Sequence, residues 1–218
     1  SFSTKEPETL EWIDNISQDS VFWDIGANVG LYTCYAAKAR GCRVFAFEPS
    51  VFNLEMLARN IFLNRVTDQA TIVPLPLSNE MTFSKLNMTT TEWGGAMSTF
   101  SQTYGHDGQA LSEAFAFPTI GLSILDAVNL LKIPQPDYIK MDVDGIEHLI
   151  LSGATKTLSA DTCKSVYIEV NDDFNEQSSN VRILLEASGF TLKEKRHAEM
   201  FDNDEIIGRT FNQIWVKE

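Results

Sequence analysis

The strongest constraint on this chain is an alternation that runs from end to end. Short apolar runs of strand length are followed each time by segments at helical spacing. "SVFWDI" precedes "NVGLYTCYAAKA", "CRVFAFE" precedes "VFNLEMLARNIFLN", "DYIKMDV" precedes "IEHLILSGA", and "SVYIEV" precedes a helix ending in "NVRILLEASGF" with Gly189 as its cap. Runs with no polar alternation suit strands covered on both faces, and each crossover must lay its helix on the sheet. The pattern predicts an α/β fold with a doubly wound parallel sheet. "QATIVPLPL" reads as a third strand with Pro74 and Pro76 near its end, and "FNQIWVKE" as a final strand carrying Phe211, Ile214 and Val216. A leading helix is expected over about residues 4–16, capped by Ser3 or Thr4, with Pro7 in its first turn. "SILDAVNLLKI" reads as a short helix. Residues 78–120, rich in Thr, Ser, Gly and Met, break the alternation and are expected to form an inserted hairpin with a mobile loop. The whole of residues 1–218 is read as one domain, and its opening Ser as a sign of excision from a longer polypeptide or of a tag scar.

Composition narrows the partners. There are 30 acidic residues against 17 Lys plus Arg, a net charge of −13. That disfavours nucleic acid and anionic membranes, which are bound by clustered cations. No apolar run reaches the roughly 18 residues of a membrane span, and no leader pattern opens the chain. Cys34, Cys42 and Cys163 are scattered and odd in number, so no disulfide framework or zinc knuckle is signalled; Cys34 and Cys163 read as small core residues. A reducing, cytoplasmic setting is expected.

Function is carried by the first strand end. In "VFWDIGANVGLYT" the spacing is Asp24-x-Gly26-x-Asn28-x-Gly30. Gly26 permits a sharp turn, Gly30 permits close helix packing, and the helix N-terminus offers unpaired N–H groups. The middle glycine of a dinucleotide fingerprint is missing, since Ala27, Asn28 and Val29 lie between the two glycines. Asp24 would repel a diphosphate but suits a ligand with sulfonium and ammonium groups. Glu48, ending the second strand in "FAFEPS" before Pro49, has two oxygens for two ribose hydroxyls and lies at about the usual distance from the glycine turn. Asp-x-Gly alone occurs at many strand-to-helix turns; the full spacing with Glu48-Pro49 is far more specific.

These stretches, together with "DYIKMDVDGIEHLILSGA", resemble the FkbM family of S-adenosylmethionine-dependent methyltransferases over roughly Trp12 to Val170. The resemblance implies a Rossmann-like sheet of seven strands, the last antiparallel, and methylation of hydroxyl oxygens on sugars or polyketides. The family's Asp-Val-Glu-Gly-x-Glu appears here as Asp142-Val143-Asp144-Gly145-Ile146-Glu147, with the second acid one methylene shorter. Expected cofactor contacts are Asp24, Gly26, Ala27, Asn28, Gly30, Glu48, Pro49, Leu77, Ser78 and Asp142, with Leu77 and Ser78 at the adenine.

A sugar hydroxyl is a poor nucleophile, so a base is expected at a strand end. Asp142 is the leading candidate, with Lys140 on the same side of its strand as partner, and Glu147 and His148 follow. The competing readings are a helix-dipole acid for Glu147 and an exposed helix residue for His148, opposite Ile146, Leu149 and Ile150. His106 and His197 read as solvated. Asp142 with Glu169, Asn171 and Asp172 offers oxygen ligands compatible with Mg²⁺ or Ca²⁺, although substrate hydrogen bonding or loop capping accounts for the same residues and no metal signature is present. Trp93 with Gly94 and Gly95 reads either as a flap that stacks on a sugar or as a turn with its aromatic packed on the sheet. The sequence therefore points to an S-adenosylmethionine-dependent O-methyltransferase acting on a sugar, glycan or glycosylated metabolite. Two alternatives are an NAD-dependent oxidoreductase or epimerase, which the missing glycine disfavours, and a non-catalytic nucleotide- or glycan-binding domain serving a neighbouring catalytic domain, which the intact acids disfavour.

Overall fold

The computed structural model describes residues 6–196 and 209–217. Ser3, Thr4 and His197, singled out above, lie outside them. Helix α1 (Pro7–Asn15) precedes β1 (Val21–Ile25), α2 (Leu31–Arg40), β2 (Arg43–Phe47), α3 (Val51–Asn64) and β3 (Ala70–Val73). Then come β4 (Thr82–Met88), β5 (Ser98–Phe100), β6 (Phe115–Gly121), α4 (Ile124–Leu131) and β7 (Tyr138–Met141). The chain continues through α5 (Glu147–Ser152), α6 (Thr155–Ser159), β8 (Ser165–Asn171), α7 (Asn175–Ala187), β9 (Thr191–Arg196) and β10 (Thr210–Val216).

Seven strands form one sheet in the order β3-β2-β1-β7-β8-β10-β9. The first five are parallel; β10 runs antiparallel to β8, and β9 antiparallel to β10. Alternation along each strand sends neighbouring side chains to opposite faces. In β1, Phe22 joins the layer containing Trp12, Leu57 and Ile61, while Trp23 joins the layer containing Ile150, Leu158 and Leu185. Helices thus cover both faces, which explains the continuous apolar strands. All three cysteines are buried and free.

Strand order reverses at β1, flanked by β2 on one side and β7 on the other. Crevices for ligands form outside the carboxyl ends of strands at such a point. The turn after β1 is shaped by Gly26 (φ 80°) and Gly30 (φ 83°), both left-handed. A Cβ on Gly26 would stand 1.8 Å from the Asp142 carbonyl oxygen, so β1 and β7 approach too closely there for any side chain. At Gly30 a Cβ would meet Leu57 Cδ1 at 2.4 Å, which makes this glycine the seat of α2 against α3.

Three expectations are corrected. "TLKEKR", passed over in the sequence, is strand β9: as an edge strand pairing only with β10 it needs no apolar face, and its pattern is mostly exposed. Residues 78–120 hold more regular structure than a hairpin and loop, namely a three-stranded antiparallel sheet ordered β5-β4-β6, with Pro118 tolerated because β6 is an edge. The third strand stops at Val73, before Pro74 removes a donor, and Leu77 pairs only as an isolated bridge with Leu122. Helix α4 opens with a full capping box between Ser123 and Asp126.

The close approach at the first turn predicts that Gly26→Ala loses on the order of 2–4 kcal/mol of stability. Gly41→Ala, also left-handed but facing only the movable Asp19 side chain, should lose about 1 kcal/mol. Urea unfolding of both variants reads the difference, and equal losses would refute the backbone contact as the cause.

Candidate active site

A cavity of about 420 Å³ opens at the carboxyl ends of β1, β2, β7 and β8. Of the residues expected there, Gly26, Ala27, Asn28, Glu48, Pro49, Leu77 and Asp142 line it. Asp24, Gly30, Ser78, Glu147 and His148 do not. Each of these five has a different position and a physical reason for it.

Asp24 is 1% exposed and lies beneath the turn. Its Oδ2 accepts a hydrogen bond from Thr33 Oγ1 at 2.6 Å, and its Oδ1 is 3.9 Å from Lys140 Nζ. Burial raises its pKa, against the lowering effect of Lys140. Lys140, the register partner of Asp24 on β7, lies 3.3 Å from Asp142 and 5.1 Å over the Tyr32 ring, and Tyr32 donates to Glu6 at 2.8 Å. Burial alone would lower the Lys140 pKa, but Asp142 and Asp24 outweigh it and hold the ammonium charged. Gly30 packs under α3, and the Ser78 hydroxyl turns to the Asn79 side chain.

Glu147 organises the turn after β7. It accepts from the Val143 and Gly145 amides at 3.0 and 3.1 Å and from Gln177 Nε2 at 2.5 Å. His148, expected on the open face of its helix, is instead 3% exposed and stands 5.8 Å from Phe174, edge to face. The correction has a simple origin: α5 begins at Glu147 and is short, and α7 and its preceding residue Phe174 cover the side that a lone helix would leave open. Burial lowers the His148 pKa, and neither ring nitrogen has a partner. His106, expected in solvent, lines the cavity with a buried Nε2.

Glu48 is 5% exposed, and each oxygen accepts one backbone amide, Oε2 from Asn28 and Oε1 from Ser50, both at 2.7 Å. Burial pushes its pKa up to about 7, and those two amides hold it from going higher. Beyond these amides and the nearby Asn53 amide, the carboxyl group keeps acceptor capacity facing the cavity. The apolar wall nearby includes Phe47, Leu75, Leu77 and Val143.

The inserted segment closes over this cavity. Asn28 Nδ2 and Asn53 Nδ2 donate to the Gly95 carbonyl at 3.1 and 3.0 Å, and the Gly94 amide donates to Asn53 Oδ1 at 2.9 Å. Asp144 (φ 60°) accepts from the Met97 and Ser98 amides at 2.7 and 3.2 Å. Burial, then repulsion from Asp142, raises its pKa to about 7. Trp93 is 69% exposed on this flap and does not pack on the sheet. Sequence reasoning passed over Asn53 and Glu6; no motif marks either, because only the fold brings α3 and the start of α1 to the cavity. Among the described residues no group of three His, Cys, Asp or Glu side chains is placed to hold a metal ion, and no helix is long and apolar enough to cross a membrane.

The FkbM methyltransferase domain description matches residues 24–192, from the first strand end to β9. The chain belongs to the FkbM methyltransferase family. It is 26% identical over 200 residues to the hexuronic acid methyltransferase AglP of Haloferax volcanii, covering 92% of this chain and 74% of that one. Among solved structures, the FkbM methyltransferase of Methylobacillus flagellatus superposes with a TM-score of 0.61 at 16% identity, covering 93% of this chain and 44% of that one. TrmK of M. capricolum, solved with S-adenosyl-homocysteine, superposes at 0.51 with 13% identity over 95% of this chain and 66% of that one. These structural likenesses are likenesses of fold. The FkbM domain here accordingly has the Rossmann-like methyltransferase sheet with its antiparallel final strand, plus the small inserted sheet.

Glu48, Asp144 and Glu147 each reach a pKa of about 7 in the folded chain, from ordinary values of 4.5, 3.8 and 4.5. The folded state therefore binds protons more tightly than the unfolded state between these limits. The contribution of these three groups is greatest at the acidic side of that window, falls as pH rises to about 7, and is lost above it. Thermal unfolding should give a higher midpoint at about pH 5.5 than at about pH 8, and Asp144→Asn should narrow the gap. A midpoint that climbs with pH would contradict the burial of these carboxyls.

Proposed function

We propose that this FkbM domain transfers a methyl group from S-adenosylmethionine to a hydroxyl oxygen of a sugar, within a glycan or glycosylated metabolite, in a cytoplasmic setting. The observation that carries this reading is the Glu48 carboxylate, fixed by two backbone amides at the wall of the cavity beside the switch point. Its remaining acceptor capacity suits a ribose diol, and a neighbouring diphosphate would meet carboxylates where a dinucleotide site offers amides. The lining fits the cofactor: Glu48 for the ribose, the turn of Gly26 to Asn28, whose amides are already given to Phe47 and Glu48, beside the amino-acid end, and the apolar wall with Leu77 for the adenine. When bound, S-adenosylmethionine supplies an electrophilic methyl group on a sulfonium.

The remaining steps fall to the chain's own residues. Asp142 lines the cavity, and its side chain is 32% exposed with Lys140 behind it. That ammonium orients the carboxylate, which can take the proton that the acceptor hydroxyl loses as the new C–O bond forms. Asp24 acts through Lys140 rather than on the ligand directly, and Glu147 acts by setting the backbone of residues 143–145. The flap anchored on Asn28, Asn53 and Asp144 excludes water from the reacting centre, and Trp93 on its outer side is available to a sugar face. The sugar assignment is supported by the name of the Haloferax volcanii relative, a hexuronic acid methyltransferase.

Calorimetry should show S-adenosylmethionine binding and no NAD binding. Glu48→Gln should weaken the cofactor by about 10- to 100-fold through loss of charge-assisted hydrogen bonds. Asp142→Asn should keep that affinity and lose about 10²–10⁴ in turnover, measured as label transfer to glycosides. NAD binding in place of the sulfonium cofactor would overturn the reading, and full turnover by Asp142→Asn would remove that residue from proton transfer.

A further inference from the structure

An acidic sugar and a basic sugar need opposite things of an acceptor site. A uronate needs a fixed cation that is not already paired; an ammonium needs a carboxylate that is not already satisfied. Relatives of this chain include an enzyme named for a hexuronic acid, so the sign of the charge here is a real distinction.

Among the described residues, the charged groups along the cavity are the carboxyls of Glu6, Glu48, Asp142, Asp144 and Glu169, with Lys140 as the one ammonium and no guanidinium. Lys140 has a side chain 2% exposed and is claimed by Asp142 at 3.3 Å and Asp24 at 3.9 Å. Nothing remains of it for an anionic acceptor. Glu48 and Asp144 are turned onto backbone amides. Glu169 differs from all of these. It lines the cavity, and its side chain takes part in no hydrogen bond or ion pair among the described residues. It lies in β8 one residue beyond Ile168, which pairs with Met141, so it stands beside Asp142 after the neighbouring strand. Burial and then Asp142 make its charge costly and raise its pKa well above its ordinary value. A half-buried carboxyl of this kind stays neutral until a cation pairs with it, and the described residues supply no such partner. A second polar group is left open in the same cavity: His106 Nε2 is buried and without a partner.

We propose that Glu169 sets the class of acceptor, so that the cavity takes a sugar carrying a protonated amine, bound as an ion pair to Glu169, and rejects uronates. This rests on the sugar-acceptor reading above. His106 supplies a further hydrogen-bonding site for a sugar hydroxyl in that arrangement. The sign of the pocket, rather than its shape, separates this chain from enzymes acting on acidic sugars.

The test uses the protein saturated with S-adenosylhomocysteine, whose binding is titrated first, and then titrates methyl glucosaminide, methyl glucoside, methyl glucuronide and ethylamine. The glucosaminide should bind at least about tenfold more tightly than the glucoside, with the glucuronide weakest. Glu169→Gln, nearly isosteric, should erase the advantage of the glucosaminide, with its fold checked by circular dichroism. Tightest binding by the glucuronide, an advantage that survives Glu169→Gln, or no glycoside binding at all would overturn the proposal. Glycosides binding alike whatever their charge would leave the sugar reading intact and remove Glu169 from it. Ethylamine binding as tightly as the glucosaminide would instead uphold the ammonium site and strike the sugar reading, while failure of S-adenosylhomocysteine to bind would strike the methyltransferase reading itself.

Discussion

The buried ammonium of Lys140 holds the centre of this fold in place. It stands between Asp24 at the end of β1 and Asp142 beyond the end of β7, where the strand order reverses. Two carboxylates at adjacent strand ends would repel each other in a dry environment, and the lysine removes that cost while tying the strands together. The arrangement also fixes which acid faces which way. Asp24 is enclosed with Thr33 and Lys140, whereas Asp142 keeps one side toward the cavity. A single buried cation thereby divides two similar carboxylates into one enclosed beneath the turn and one that lines the cavity.

Around that pair the site is assembled mostly by the backbone. Gly26 lets β1 approach the Asp142 carbonyl, Glu48 is gripped by the amides of Asn28 and Ser50, and Glu147 gathers the amides of Val143 and Gly145. Buried carboxylates satisfied by amides are rigid, because losing any partner leaves a desolvated charge. The inserted sheet joins the same network through Asp144, which ties the segment after the flap to the turn after β7. The turn after β7 and the inserted segment are thus linked through hydrogen bonds to one short run of residues, 142–147.

Much of this was legible in the residues themselves. The Asp24-to-Gly30 spacing and Glu48-Pro49 mark a strand-to-helix turn whose backbone needs are local, so the positions of Gly26, Asn28 and Glu48 could be read without the fold. Lys140 was paired with Asp142 from strand alternation alone. The edge strand β9 was missed because an edge carries no apolar signature. His148 was misplaced because helical periodicity says which residues share a face but not what packs against it; Phe174, 26 residues later, decides that. Glu147 resembles a catalytic acid in sequence, yet its partners are amides two and four residues before it and a glutamine on α7.

What the sequence determined by itself is the architecture and the cofactor class, because both depend on short-range facts: the period of apolar residues, a turn that only glycine permits, and an acid at each of two strand ends. Only the tertiary structure decided which carboxylates are free to act. Whether an acid is satisfied by an amide, neutralised by a lysine or left facing the cavity depends on neighbours brought in from distant parts of the chain, as Asn53, Gln177 and Glu169 are here. Desolvation and pairing are properties of that assembled environment, and they have no counterpart in the order of residues along the strand.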